Sequence, residues 1–178
     1  MSEKQNQMRC PIAALLLATL LALSTAAVGQ EPKVLSLHSR IPLKNVQGRI
    51  DHSSVDVKGQ RLFVAAVANH TLEVIDLQAG KQVRSITELA EPQGVFYDTS
   101  TNRLFVACAL DVPDKQEIEV VDGVSRKVIA RWPVISAKDN SPMALDEAHH
   151  RLFVGTRTPP RLLVFDTDKG KEIASSEL

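Results

Sequence analysis

Cysteine is scarce in this chain of 178 residues, which contains only Cys10 and Cys108. Because Cys10 lies in a segment that is predicted below to be removed, one thiol remains and no internal disulfide can form. No Cys-x-x-Cys-His motif is present for covalent haem, and no spacing of cysteine and histidine fits a zinc site. Cys108 falls in an apolar stretch and is predicted to be a small buried hydrophobe. The sequence therefore predicts no cofactor, and a fold that depends on its apolar core.

An excess of charge of one sign is also absent, since the chain has 21 basic and 21 acidic residues. Removal of residues 1–29 would take away Lys4, Arg9 and Glu3, which leaves 19 basic and 20 acidic residues. These charges are interspersed along the chain and form no basic block. We therefore expect neither nucleic acid nor an anionic membrane surface as a partner.

The one long apolar run lies near the N terminus, from Ile12 to Leu23. Arg9 precedes it, and the small residues Ala27 and Gly29 follow at the −3 and −1 positions of a cleavage site. This pattern predicts a secretory signal peptide at residues 1–29 that is removed before Gln30. The mature protein is then expected to be periplasmic or secreted, with no membrane attachment. An uncleaved membrane anchor is the alternative, because the apolar segment approaches the length that spans a bilayer.

A four-residue motif, Arg-Leu-Phe-Val, occurs three times in the rest of the sequence. The copies are Arg61–Val64, Arg103–Val106 and Arg151–Val154, and they start 42 and 48 residues apart. Each copy has an aspartate five residues before its arginine and a second aspartate after the next apolar run. A lysine lies five residues beyond that second aspartate. A period of this size is typical of propeller blades and of helical solenoid repeats.

The apolar runs within each repeat are short, rich in β-branched and aromatic residues, and separated by turn residues, which predicts strands rather than helices. Pro159-Pro160 would also interrupt a helix. We therefore predict an all-β fold made of three β-propeller blades, each a four-stranded antiparallel sheet with the motif on its second strand. The blades are expected at about 49–90, 91–138 and 139–178, after an N-terminal segment at 30–48. The second unit has four extra residues in a loop around Asp111–Lys115, and such loops often lie on a binding face.

Aspartates recur at two positions of every unit, and recurring carboxylates could indicate catalysis. We interpret them instead as the first residues of turns, where a carboxylate accepts hydrogen bonds from nearby backbone N–H groups. The arginine or lysine across each turn is a predicted partner that contributes less than about 1 kcal/mol if exposed. The residues with this predicted structural role are Asp56, Asp98 and Asp146 after the first strands, and Asp76, Asp122 and Asp166 after the third strands.

The repeats resemble the YVTN-type repeat of exported bacterial β-propellers, which is related to the cytochrome d1-like and lactonase-like seven-bladed folds. The residues that carry the resemblance are Arg61–Ala66, Thr71–Asp76 and Gly80–Val83, although the tetrapeptide Tyr-Val-Thr-Asn itself is absent. The resemblance covers residues 49–178 and repeats three times.

Other propeller repeats fit less well. The lone Trp132 forms no Trp-Asp pair, as a WD40 repeat would require, and no Gly-Gly doublet suggests kelch repeats. The stretch Pro92–Val95 is similar to NHL repeats, which remain the alternative assignment.

The number of repeats departs from the resemblance, which implies a ring of seven blades where the sequence has three. Residues 33–43 have the pattern of a fourth strand without the other three, and in related propellers such a strand completes the last blade and closes the ring. We expect a C-terminally truncated protein. The alternative is a genuine three-blade protein that closes by self-association through its exposed blade faces.

In a propeller the loops that enter the first strand of each blade gather around the central channel, and this channel mouth is the usual ligand face. Here it is predicted to bind a small polar ligand or a protein, although the same polarity would arise from solvated turns. No pair of nucleophile and base is evident, so no catalytic residue and no metal ligand is assigned. The alternative is a lactonase-like hydrolase that uses rim carboxylates, His52 and a divalent cation. The candidate ligand-binding residues are Arg49, Asp51, His52, Glu91, Gln93, Asp139 and Asn140.

Overall fold

Twelve β-strands and one 3-10 helix make up the regular structure of residues 35–109 and 116–178, the part of the chain that the computed structural model describes. The first blade contains β1 (Ile50–Asp56), β2 (Arg61–Ala66), the 3-10 helix Val67–Asn69, β3 (Thr71–Asp76) and β4 (Lys81–Ile86). The second contains β5 (Pro92–Asp98), β6 (Arg103–Ala109), β7 (Gln116–Asp122) and β8 (Val128–Pro133). The third contains β9 (Met143–Asp146), β10 (Arg151–Arg157), β11 (Pro160–Asp166) and β12 (Lys171–Glu177).

Each blade is a separate four-stranded antiparallel sheet whose strands follow the order of the chain. This confirms the predicted all-β class and the interpretation of each repeat as one blade. The Arg-Leu-Phe-Val motif opens the second strand of every sheet, at β2, β6 and β10. The predicted signal peptide at 1–29 and the extra loop residues Asp111–Lys115 lie outside the described residues.

The second strand is an apolar run without alternation because in the middle blade it is covered on both faces. Leu104 and Val106 point toward the first blade, while Phe105 and Ala107 point toward the third, and all four are buried. A strand that is covered on both faces needs apolar residues at successive positions, as in the buried strands of parallel sheets. The continuous apolar run of β6 is thus explained by the packing of a blade against each of its faces.

Two apolar cores hold the blades together, one between each pair of neighbouring sheets. Full burial of a large apolar side chain contributes about 1.5–3 kcal/mol, so these cores are the main stabilising contribution. The core between the first and second blades includes Phe63, Leu72, Val74, Ile86, Tyr97, Leu104, Val106 and Cys108. The core between the second and third blades includes Phe105, Ile118, Val120, Trp132, Leu152, Val154, Leu163 and Phe165.

The first strands of the three sheets lie beside one another, since β1 contacts β5 and β5 contacts β9. One side chain links two of them directly, because the backbone N–H of Tyr97 donates to Ser54 Oγ at 2.9 Å. The fourth strands lie at the opposite edge of each sheet. The ends at which β1, β5 and β9 begin therefore lie close together at the end of the blades where the sequence predicts the channel mouth, and this end is called the channel mouth below. The turns after these strands lie at the other end.

Residues 35–49 precede the first blade and contain no strand. Three hydrogen bonds attach residues 44–47 to the first blade: Lys44 N–H to Gln82 Oε1, Gln47 N–H to Asn69 Oδ1, and Asn69 Nδ2–H to the Asn45 carbonyl. The ring-closing strand expected at 33–43 stays a prediction. No helix among the described residues is long and apolar enough to cross a membrane.

All six recurring aspartates accept hydrogen bonds from the backbone of the turns that they open. Asp56 Oδ1, for example, accepts from the N–H of Gly59 at 2.8 Å, and Asp76 Oδ1 accepts from the N–H of Ala79 at 2.7 Å. The corresponding donors for the other four follow two or three residues after the carboxylate. Of the predicted charged partners, Arg61 contacts Asp56 within its own repeat, at 2.7 Å.

Candidate ligand site at the channel mouth

The first blade places three of the predicted residues in one cluster at the channel mouth. Arg49 precedes β1, and Asp51 and His52 are its second and third residues. Arg49 Nη1 donates to Asp51 Oδ2 at 3.0 Å, and His52 Nδ1 lies 2.8 Å from Asp51 Oδ1. The carboxylate is thus held between a guanidinium and an imidazole. The side chains of Arg49 and His52 remain 55% and 45% exposed, so both can reach a molecule in solution.

The third blade adds a hydroxyl group to this cluster from a residue 89 positions along the chain. Ser141 Oγ lies 3.4 Å from His52 Nδ1. Gly94 permits this approach, because a Cβ atom at that position would lie 1.8 Å from the Ser141 carbonyl oxygen. The missing side chain lets the segment before β9 pack directly on β5, which brings the first and third blades together at His52.

The contacts of His52 Nδ1 determine how its other ring nitrogen, Nε2, can interact with a ligand. A carboxylate only accepts hydrogen bonds, so an Asp51 oxygen 2.8 Å from Nδ1 favours a proton on Nδ1 over a lone pair there. Nε2 then carries a lone pair and has no hydrogen-bond partner among the described residues. A carboxylate that orients a histidine in this way strengthens the other nitrogen as an acceptor or a ligand. The site therefore offers one acceptor, Nε2, beside the N–H donors of Arg49.

This cluster lacks the geometry of a nucleophile-activating relay. In a Ser-His-Asp relay the serine and the aspartate contact different ring nitrogens. Here Asp51 and Ser141 both lie against Nδ1 of His52. The serine hydroxyl therefore cannot transfer its proton to the ring nitrogen that carries the lone pair, and the arrangement favours binding over acyl transfer.

The other predicted residues lie at the same end of the blades but do not join the cluster. Gln93 and Asn140 are buried. Asn140 Nδ2 donates to the Glu117 carbonyl, which ties the entry of the third blade to the second. Asp139 Oδ2 accepts from the hydroxyl of Thr158, and the N–H of Glu91 donates to a ring nitrogen of His70. Their contacts are structural, and any role in ligand binding stays a prediction.

An open cleft of about 470 Å³ runs along the inner strands below His52. Its wall is formed by Ser53–Val55 of β1, Val95–Tyr97 of β5 and Met143 of β9. At the far end Thr99 Oγ1 donates to Glu147 and joins the turns of the second and third blades. His52 thus stands at one end of a cleft that is large enough for a small molecule.

Metal coordination at the channel mouth would require further ligands than the blades supply. Within residues 35–109 and 116–178, no group of three or more histidine, cysteine, aspartate or glutamate side chains could hold a metal ion. His52 and Asp51 alone make two. The divalent cation of the hydrolase alternative therefore has no complete ligand set in the described part of the chain.

Ser141 is the member of the cluster that is not among the residues predicted from the sequence. Its contact with His52 depends on the packing of the third blade against the second, which no local pattern encodes. The one sequence feature that could have indicated this contact is Gly94, because a glycine inside an apolar strand often marks a close approach of another backbone.

These features define a protein of β-propeller blades with a polar site at the channel mouth. No protein-family model and no curated protein matches the chain. Solved structures do match, and one of them is hydrazine synthase of Kuenenia stuttgartiensis, with a TM-score of 0.64 and 17% sequence identity. The match covers 71% of this chain and 36% of that chain, so this protein spans about a third of the length of the chain it matches. At this identity the similarity shows the fold alone.

Proposed function

We propose that this protein is an exported propeller-blade module of the YVTN type that binds a small polar ligand at its channel mouth. The observation that carries the proposal is the Asp51–His52 pair, which holds the Nδ1 side of the ring and leaves Nε2 of this half-exposed side chain without a partner among the described residues. A rigid acceptor beside an exposed guanidinium is an arrangement for recognition. The shared contacts of Asp51 and Ser141 with one ring nitrogen favour a binding protein over an enzyme.

The chemistry of the site indicates the class of ligand. His52 Nε2 accepts a hydrogen bond, so the ligand supplies a hydroxyl or an N–H group. The guanidinium of Arg49 uses one nitrogen on Asp51 and keeps other N–H groups for an acceptor or an anion. A hydroxy acid, a sugar acid or a sugar meets both requirements. The cleft below His52 would hold the remainder of such a molecule.

A thermal-shift screen of sugars, hydroxy acids and sugar acids tests this proposal on the protein purified after export. Mass spectrometry of the same sample checks that the chain begins at Gln30. We expect one class of compound to raise the melting temperature of the wild-type protein, and His52→Ala to abolish that rise. His149→Ala is the matched control, because Nδ1 of His149 also lies close to a carboxylate oxygen, Asp146 Oδ2 at 2.7 Å, on a turn at the opposite end of the blade.

The variants also separate binding at the mouth from binding elsewhere. A response that survives in His52→Ala, or that disappears in His149→Ala as well, would contradict the proposal. Hydrolysis of a lactone by the wild-type protein that is lost in His52→Ala would instead favour an enzyme.

A further inference from the structure

A groove between the outer strands of the first two blades contains three cationic side chains. It lies between β4 and β8, with a volume of about 380 Å³, and its lining includes Arg84, Arg126 and Lys127. None of the three side chains has an ion pair or a hydrogen bond with another described residue. Glu88 is the one acidic residue in the lining, so the groove has a net positive charge. A concentration of cations without counter-charges attracts anions.

Arg126 also has a buried donor without a partner. Its Nε atom is buried and makes no hydrogen bond within the described residues. A buried N–H group that is left without an acceptor costs about 1–3 kcal/mol, and a bound anion in the groove would supply the acceptor that Arg126 Nε lacks.

The backbone of Arg126 adds a second unfavourable feature. Its φ angle is +59°, in the left-handed region. The turns of the other two blades carry glycine at the corresponding position, four residues after the second aspartate: Gly80 with φ +61° and Gly170 with φ +64°. Glycine adopts this conformation freely, whereas other residues are strained in it. The second blade thus has an arginine at a place where the fold favours glycine.

Arg84 also has no cationic counterpart in the other two blades. It pairs with Val74 on β3, and the residues at the same register in the other blades are Ala130, opposite Val120, and Ala174, opposite Val164. Lys127, by contrast, corresponds to a lysine in every blade. The repeat therefore folds without a cation at the position of Arg84, and the arginine is an added charge in this groove.

The corresponding groove between the second and third blades has a different chemistry. The cavity found there lies further along β12 and is lined by residues 135, 136 and 172–175, which include Glu172 and no cation. A Cβ atom at Gly170 would lie 2.2 Å from Trp132 Nε1, so the indole occupies the space beside that turn. In the first groove Ile86 stands at the register of Trp132 and is smaller. The smaller residue leaves the cavity open, and the arginines line it.

We propose that the groove between β4 and β8 is a binding site for an oxyanion, held by Arg84, Arg126 and Lys127. The ligand class is a phosphate, a sulfate or a carboxylate, free or at the end of a larger molecule. Guanidinium groups bind such anions with charge-assisted and often bidentate hydrogen bonds. The site is separate from the channel mouth and does not depend on the function proposed there.

Isothermal titration calorimetry and thermal shift with phosphate, sulfate and malonate, against chloride at constant ionic strength, test the site. We expect at least one oxyanion to bind and to raise the melting temperature beyond chloride. Arg84→Ala and Arg126→Gly introduce the residues of other blades and should each weaken binding by roughly ten- to hundredfold. Lys81→Ala, at the corresponding lysine of the first blade, and His52→Ala should bind as the wild type does.

The melting temperature of the ligand-free protein gives a second test that does not depend on the affinity for an anion. Arg126→Gly should raise the melting temperature of the ligand-free protein, because it removes both the strain and the buried Nε. The inference is overturned if no oxyanion exceeds chloride, if the two arginine variants bind like the wild type, or if Arg126→Gly lowers the ligand-free melting temperature. The preferred anion among the three identifies the ligand class.

Discussion

The guanidinium of Arg61 lies over the ring of Tyr97, 5.4 Å from its centroid, and Nη2 donates to the Tyr97 hydroxyl at 3.1 Å. Arg61 belongs to the first blade and Tyr97 to the second. The same side chain binds Asp56 of its own blade and donates from Nη1 to the Gly123 carbonyl of the next. The arginine of the repeated motif thus joins two neighbouring blades through polar contacts, beside the apolar core that they share.

Arg61→Ala should therefore destabilise the protein more than loss of the corresponding arginine in the third blade. Arg61 is 22% exposed, and its removal leaves a buried carboxylate and a carbonyl without their donor, which costs about 2–3 kcal/mol. Arg151 contacts Asp166 and the His150 carbonyl within its own blade and is 35% exposed, so Arg151→Ala should cost under about 1 kcal/mol. Urea unfolding of both variants measures the difference. Equal losses would refute the assignment of Arg61 to the junction between blades.

Gly94→Ala should destabilise the fold and disturb the channel mouth together. The added methyl group would collide with the Ser141 carbonyl, and such overpacking costs about 1–3 kcal/mol. Because Ser141 contacts His52, ligand binding at the mouth should weaken as well. Gly80→Ala is the matched control: nothing lies near its Cβ, and its φ of +61° limits the effect to about 1 kcal/mol of backbone strain. Normal ligand binding by Gly94→Ala would show that the contact is unimportant to the site.

Stability should fall in acid because of the turn aspartates. Burial opposes ionisation of Asp98, but hydrogen bonds from Thr101 and Ser100 outweigh it and hold the pKa of Asp98 below its ordinary value. A group whose pKa is lowered by folding stabilises the native state above its unfolded pKa of about 3.9, and this contribution is lost as the pH falls through the folded pKa. Asp98→Asn should therefore cost about 1–3 kcal/mol at neutral pH and almost nothing in strong acid.

Urea midpoints of wild type and Asp98→Asn across this range check the sign. A difference that stayed constant with pH would show that the carboxylate charge does not matter.

Glu119 has the opposite effect on the pH dependence of stability, since burial raises the pKa of its carboxyl group above the ordinary value. Its contribution is present at low pH and declines as the pH rises through its folded pKa.

Cys108 should resist thiol reagents in the native protein. It is fully buried, and burial together with the nearby Glu119 raises the pKa of the Cys108 thiol. The reactive thiolate is therefore both rare and inaccessible. We expect an aromatic disulfide reagent to react with it only after unfolding, whereas a cysteine introduced by Val124→Cys, at a residue that is 77% exposed, should react at once. Rapid reaction of native Cys108 would show that the core between the first two blades opens readily.

The sequence predicted the repeated part of the fold well, because the repeat samples the same local chemistry three times. Arg61, Arg103 and Arg151 each open the second strand of a blade, as their pattern indicated. The special backbone of Arg126 was also visible in principle, since comparison with Gly80 and Gly170 exposes an arginine at a glycine position.

The site was less predictable, because it depends on contacts between blades. Arg49, Asp51 and His52 are adjacent in the sequence and could be proposed together. Ser141 joins them only because Gly94 lets another blade approach, and hydrogen bonds across 89 residues leave no local pattern. The burial of Asn140 likewise follows from tertiary packing and not from its polar character.

A long-range ¹H–¹⁵N spectrum of the histidine side chains tests most directly the central claim that the Asp51–His52 pair presents Nε2 of His52 to a ligand as an acceptor. We expect that neutral His52 carries its proton on Nδ1 and that Asp51→Asn weakens this preference. A ligand from the screen should shift the Nε2 resonance of His52 and leave His149 unchanged. A proton on Nε2 of neutral His52, or a bound ligand that leaves the His52 resonances in place, would contradict it.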